Sequence, residues 1–539
     1  MLKKRLSFFI PLLFFIGIFL YLFLYSYHQN GGRWIYSVDD AYIHMALSKN
    51  IVTQGVWGVT AHEFTSASSS VFWSLILAGF YLIDVNTFVP LILNFVEGII
   101  LLWILYRILK KEQLNEVYIF FALMIFVLFN NTYNLIFTGM EHLTQGILVV
   151  LFFYLAATMI PQKVLTNKKQ DWLLLLIAML LVTTRYEGAF LVLIACFWFF
   201  FVSRRYMYAI YLGLSSLLGI AVFGVYSWFQ GWPVVPITLI VKGNRPEINS
   251  LQSFWDYASE GLQAIAFDKL SLFSLMAILL IVCLRTWLNK RFVDRINVMS
   301  VSFLIYAYLY MQFTGFYNLY FRYYFHYQLL LLLVLLLGAY KLVIELIKYQ
   351  KRDTELRTVE GLGLRAGVVI TILSLILLSV QVPPMKRGTD EIFMQQIQMA
   401  KFVQKYHYND VVAANDIGAI SYYTNIHLVD LAGLASLDVA MARAEGRFNS
   451  SFIEEITKKK GTQLAIVYDN WFPGMLPKSW IKVGEWTYPE PTIQLGGRTV
   501  SFYATNPAMV ERLTQELREF SPTLPRKIVE SGLYTQTQQ

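Results

Sequence analysis

The chain has 539 residues, of which 57% are hydrophobic and only 15% charged, with a mean hydropathy of +0.51. Soluble chains carry about a quarter charged residues, so this composition excludes an ordinary globular protein and indicates a polytopic membrane protein. The formal charge of +9 is no signal of a nucleic-acid partner, because Lys and Arg cluster between apolar runs, where they set topology.

The first apolar run, Leu6 to Tyr25, follows Lys3, Lys4 and Arg5. It is too long for a signal-peptide core and no small-residue cleavage site follows, which predicts a retained signal-anchor with a cytoplasmic N-terminus. Further apolar runs at 87–109, 116–133, 142–160, 171–184, 187–203, 208–229, 270–288, 296–313, 327–348 and 364–382 predict helical spans, eleven in all with 6–27. The run Ser70 to Ile83 is short. If it crossed, every later basic loop would face the wrong side, so it reads as interfacial or re-entrant. Lys110-Lys111, Lys163/Lys168/Lys169, Arg204-Arg205, Arg285/Lys290/Arg291 and the loop Lys348 to Arg365 then all fall inside.

This bookkeeping divides the chain into a membrane part, 1–382, and a part of soluble composition, 383–539, that lies outside. A first outer loop at 28–86 carries interfacial helices. Pro383-Pro384 marks the boundary. Beyond it, a helical pattern at Ile392 to Tyr406 alternates with β-like runs at Asp410 to Ala414, Leu428 to Asp430 and Leu464 to Tyr468, which predicts a small α/β domain. The two cysteines, Cys196 and Cys283, both lie in apolar runs and cannot staple it.

Ionisable residues at membrane depth mark function by default. Asp39 and Asp40 adjoin the exit of the first span, where a base could work at the membrane surface. Ile43, Leu47 and Ile51 follow at four-residue spacing and Gly55 stops the run, which predicts an amphipathic helix along the outer interface. Asp39 would serve equally as its N-cap. Thr184-Arg185-Tyr186-Glu187-Gly188 separates two apolar runs too short to span, so Arg185 and Glu187 sit below the outer surface in a protein-lined cavity. A structural ion pair between them, or with Glu97, is the plainer alternative. Gly139-Met140-Glu141 opens the fourth span in the same way. Lys242 and Arg322, the latter beside Tyr323, face outward and suit either a lipid-borne phosphate or plain headgroup anchoring. Asp40 and His44, one helical turn apart, are too few ligands to define a metal site. No cofactor is implied, and no Gly-rich nucleotide loop is present.

In order, Asp39-Asp40-Ala41-Tyr42-Ile43, the run Thr65 to Trp73, the Gly-Met-Glu turn, the Thr-Arg-x-Glu-Gly turn and a late Arg-Tyr resemble the GT-C superfamily of polyprenyl-phosphate-sugar glycosyltransferases. The resemblance is greatest to the branch of the mycobacterial terminal arabinofuranosyltransferases. Protein O-mannosyltransferases and lipid A aminoarabinose transferases are more distant. It covers roughly residues 1–330, and less securely Asn415 to Gly418 and Leu428 to Leu434. Relatives commonly carry Pro where this chain has Tyr186.

The resemblance implies a bacterial cytoplasmic-membrane transferase that moves a sugar from a polyprenyl-phosphate donor to a glycan, lipid or protein acceptor of the cell envelope. Asp39 or Asp40 is then the base, Asp39 by preference, with Glu141 as a second acid. Arg185, Glu187, Lys242, Arg322 and Tyr323 then bind substrate. A lipid-linked sugar flippase without chemistry, or a diphosphate-donor polymerase or ligase, are the rival readings.

Overall fold

The computed structural model describes residues 2–129, 132–162, 168–242, 249–314, 320–349 and 385–536. Seven of its helices are long and apolar enough to cross a bilayer. They are α1 (Leu2–Gln29), α4 (Val89–Lys111), α7 (His142–Met159), α10 (Tyr206–Phe229), α13 (Lys269–Asn289), α14 (Arg295–Thr314) and α15 (Tyr320–Tyr349). Shorter helices α5 (Glu116–Phe129), α6 (Thr132–Ile136), α8 (Lys168–Thr184) and α9 (Gly188–Phe197, continued as a π-turn) complete the bundle. Ten of the eleven predicted runs are thus helical. The eleventh, 364–382, and Pro383-Pro384 lie outside the described residues. The run at 70–83 forms α3 (Val71–Tyr81), too short to span.

Helix α7 is the most enclosed of the spans, with 83% of its residues buried, and it touches α4, α8, α14 and α15. Side chains at its N-terminal end therefore stand at the centre of the bundle. At the opposite end, ion pairs tie neighbouring spans. Arg295 and Lys341 meet Glu112, Arg285 grips Glu345 at 2.9 Å, and Arg205 holds Asp171 at 2.8 Å.

Helix α2 (Asp40–Gln54) is enclosed on more than the one face that its four-residue spacing predicts. Ile43 and Leu47 are buried as the pattern requires, but so are Tyr42, Met45, Ala46, Ser48 and Asn50. One side packs on α3. The other is covered by α17 (Gly418–Tyr423), far along the chain. Gly55 does end α2, at φ +68°.

Between them, α11 (Ile237–Lys242) and α12 (Leu251–Phe267) join α10 to α13. The C-terminal part is a six-stranded mixed sheet in the order β2-β1-β3-β5-β4-β6. Strands β1 (Val411–Ala414), β2 (His427–Asp430) and β3 (Leu464–Val467) are parallel and match the three predicted runs. Strands β4 (Ile481–Thr487), β5 (Thr499–Ala504) and β6 (Val529–Gly532) pair antiparallel. Alternation sorts the parallel strands. Val412, Ala414, Leu464 and Ile466 join a core continuous with the membrane bundle, under α16 (Gln396–Tyr406). Ala413, Val429, Ala465 and Val467 face a smaller cluster with α18 (Ser450–Lys460).

Candidate active site

Four elements carry ionisable groups to one place. Asp40 and His44 come from the first turns of α2, Glu141 from the turn before α7, Arg185 and Glu187 from the break between α8 and α9, and Arg322 and Tyr323 from the start of α15. The Gly-Met-Glu turn owes its course to Gly139, which has φ +65° and whose Cβ would lie 2.6 Å from the Tyr36 ring. Trp73 Nε1 donates to the Gly139 carbonyl at 3.2 Å and fixes the turn against α3.

Glu141, fully buried, is the hub. Arg185 donates to its Oε1 at 2.8 Å, Ser69 donates to the same oxygen at 3.4 Å, and His44 Nε2 stands 3.5 Å from Oε2. Arg185 also forks onto Glu187 at 2.7 and 3.3 Å. Arg322 pairs with Asp40 at 2.9 Å and donates to the Tyr323 hydroxyl at 3.2 Å. Both guanidiniums lie over the Tyr323 ring, at 5.4 and 4.9 Å. The Asp40 side chain is 32% exposed against 11% for Arg322.

The Arg185–Glu187 ion pair foreseen as the plain alternative is present, but Arg185 spans two carboxylates. Glu97 takes no part in it and accepts from Thr144 Oγ1. The side chain of Lys242, at the end of α11, lies outside the described residues.

Sequence reasoning missed the role of His44. Its Nδ1 lies 3.3 Å from both the Ser68 and Ser74 hydroxyls, so the serine-rich run serves to seat an imidazole beside Glu141. Burial lowers the His44 pKa, opposed by Glu141. The spacing Asp40, His44 was the available signal, since residues four apart share a helix face.

Asp39 points the other way. Gly418 N donates to its Oδ2 at 2.6 Å and Ala419 N to its Oδ1 at 2.8 Å, so Asp39 caps α17 in trans rather than its own helix. Gly418 must be glycine here: a Cβ would lie 2.2 Å from the Asp39 carbonyl oxygen. Asp416 hydrogen-bonds to Asp39 and accepts from Gln396 Nε2 at 2.6 Å. Burial and then Asp416 push the Asp39 carboxyl well above the usual range, and burial raises Asp416 too. Asp40, Tyr42 and Tyr468 are the other titratable groups around the pair.

The folded pair thus holds a proton that ordinary carboxylates release above about pH 4. Stability contributed by this contact is expected to fall as pH rises through the pair's raised range, because there the native state binds more protons than the unfolded chain. Melting curves from pH 5 to 8 should show this slope in the wild type and a flatter one in Asp416→Asn, which keeps a donor without the second charge.

A protein family described as a domain of unknown function (DUF8728) matches residues 390–503, from just before α16 to β5. No curated protein matches the chain. Among solved structures, the crystal structure of ArnT from Cupriavidus metallidurans bound to undecaprenyl phosphate is similar, with a TM-score of 0.50 at 11% identity. The likeness covers 92% of this chain and 98% of that one. The chain has a GT-C-like membrane fold. At so low an identity the likeness is one of architecture, and it takes in both the helical bundle and the sheet domain.

Proposed function

We propose that the chain is an integral-membrane glycosyltransferase. It moves a sugar from a polyprenyl-phosphate donor to a cell-envelope glycan, lipid or protein acceptor on the extracytoplasmic side of a bacterial cytoplasmic membrane. In this reading residues 1–382 form the catalytic part and 383–539 an outer domain. Within the GT-C superfamily, the motif order favours the branch of the mycobacterial terminal arabinofuranosyltransferases. The observation that carries the proposal is the Asp40–Arg322 pair beside the Glu141–Arg185–Glu187 chain, gathered at the bundle end opposite the other ion-pair cluster. The ArnT structure, with its bound undecaprenyl phosphate, supports a lipid-phosphate ligand for this fold.

Asp40 is the base. Arg322 is its partner until a donor phosphate competes for the guanidinium, and that exchange frees the carboxylate beside the anomeric carbon. Asp40 then accepts the proton of the acceptor hydroxyl. The oxygen attacks, the bond from sugar carbon to phosphate oxygen breaks, and prenyl phosphate leaves with the electron pair, inverting the centre. Arg322 and Arg185 meet the charge that develops on the leaving group. Glu141 and Glu187 hold Arg185 in place, and Asp39 serves as a positioning residue through its contact with α17.

The test is reconstitution in liposomes with undecaprenyl-phosphate sugars. Sugar transfer with stoichiometric release of undecaprenyl phosphate is expected. Movement of the intact lipid-linked sugar across the bilayer without release would instead establish a flippase. Arg322→Gln should weaken undecaprenyl phosphate binding about tenfold or more, the loss of one charge-assisted contact. Unchanged affinity would assign Arg322 to headgroup anchoring.

A further inference from the structure

Two buried histidines stand in this site with no part in the displacement. His142 follows Glu141 and opens α7, and His326 lies one helical turn beyond Arg322 on α15. Each is 1% exposed, and among the described residues no ring nitrogen of either has a hydrogen-bond partner. Buried polar atoms are rarely left so, and each such case asks for a reason. Gln145, three residues beyond His142, is also 1% exposed with both amide atoms unpartnered.

The rings belong to the site. His142 interacts electrostatically with Arg185, Arg322, His44 and His326. It meets the Tyr323 ring edge-on at 6.1 Å, and Tyr323 is the ring under both guanidiniums. His326 meets Tyr310 edge-on at 5.0 Å and Tyr306 at 6.1 Å. His142 therefore shares the aromatic ring of the cationic slot, and His326 packs on the neighbouring Tyr310, whose hydroxyl donates to the Tyr323 carbonyl.

Their chemistries divide a glycosyl phosphate between them. A phosphate only accepts hydrogen bonds and suits guanidinium, which only donates. A sugar hydroxyl both donates and accepts, as does an imidazole when one nitrogen carries a hydrogen. We infer that His142 and His326 form the donor-sugar subsite, taking the hydroxyls of the transferred sugar while Arg322 and Arg185 hold its phosphate. This rests on the glycosyltransferase reading above.

Binding of the purified full chain in nanodiscs is measured for undecaprenyl phosphate and for its glucosyl, mannosyl and arabinosyl esters. The wild type is expected to bind at least one ester more tightly than undecaprenyl phosphate. His142→Phe and His326→Phe should each cut that advantage about tenfold, the worth of a lost hydrogen bond, with undecaprenyl phosphate affinity held within about twofold. Neither should lower the melting temperature, because an apolar ring replaces a polar one that no protein group satisfies. His326→Gln, which keeps a donor and an acceptor, should retain most of the advantage.

An undiminished advantage in both Phe variants would overturn the inference. So would a fall in melting temperature with equal losses for ester and undecaprenyl phosphate, the mark of a purely structural role. A wild type that binds undecaprenyl phosphate but no ester more tightly would defeat the sugar subsite alone. Failure to bind any of these lipids would defeat the donor reading with it.

Discussion

Asp40→Asn is expected to slow sugar transfer by about 10²- to 10⁴-fold, the usual contribution of a positioned base. Its affinity for undecaprenyl phosphate should be equal or higher. The two halves of this expectation come from one contact. Asn matches Asp in shape, so the start of α2 keeps its course, but an amide cannot take the acceptor's proton. The same change removes the carboxylate that pairs with Arg322 at 2.9 Å and so removes the phosphate's competitor for that guanidinium. Single-turnover rates set against lipid binding separate the two effects. Asp39→Asn should behave differently. One of its two amide contacts is lost and a donor is placed against an N–H, so melting temperature falls along with activity. A variant set in which Asp40→Asn transfers sugar normally, while Asp39→Asn is stable and inactive, would exchange the two roles.

Membrane physics made much of the architecture legible. A span needs about 20 apolar residues, so α1, α4, α10 and α15 could hardly be missed, and the two short runs flanking Arg185 had to meet at a buried break. Glu141, Arg185 and Arg322 stood out because ionisable groups in such places are costly. What stayed hidden depends on partners distant in sequence. The spacing Ile43, Leu47, Ile51 reveals one apolar face of α2, and nothing in it announces that Gly418 and Ala419 cover the other. His142 and His326 were equally silent, since a lone His in an apolar run reads the same whether it binds a ligand or not. Strands β4, β5 and β6 lay beyond the three predicted runs, and for β4 and β6 the reason is local. β4 carries Lys482 and Glu485 with a register shift at Gly484, and β6 reads Val-Glu-Ser-Gly, so neither shows a clean two-residue alternation.

Gly418→Ala is expected to destabilise the protein by about 3 kcal/mol, the high end for overpacking, and to depress turnover without touching a catalytic group. The added Cβ would stand 2.2 Å from the Asp39 carbonyl oxygen and 2.6 Å from its Oδ2. The first of these is backbone at the head of α2 and cannot swing aside as a side chain would. Relief requires α17 to back away from α2, which breaks both amide contacts to Asp39 and leaves a buried carboxyl without its cap. Asp40 is the next residue, so the proposed base shifts whenever Asp39 does. Gly79→Ala is the control: its Cβ would meet nothing within 4 Å inside α3, and it should be neutral or slightly stabilising. Melting temperature and limited proteolysis of the sheet domain read the first effect, and transfer rate at saturating donor reads the second. If Gly418→Ala melts and turns over like the control, α17 does not rest on Asp39. The sheet domain would then have no hold on the base, and the reason for keeping two acids in tandem at the exit of the first span would have to be sought in the chemistry itself.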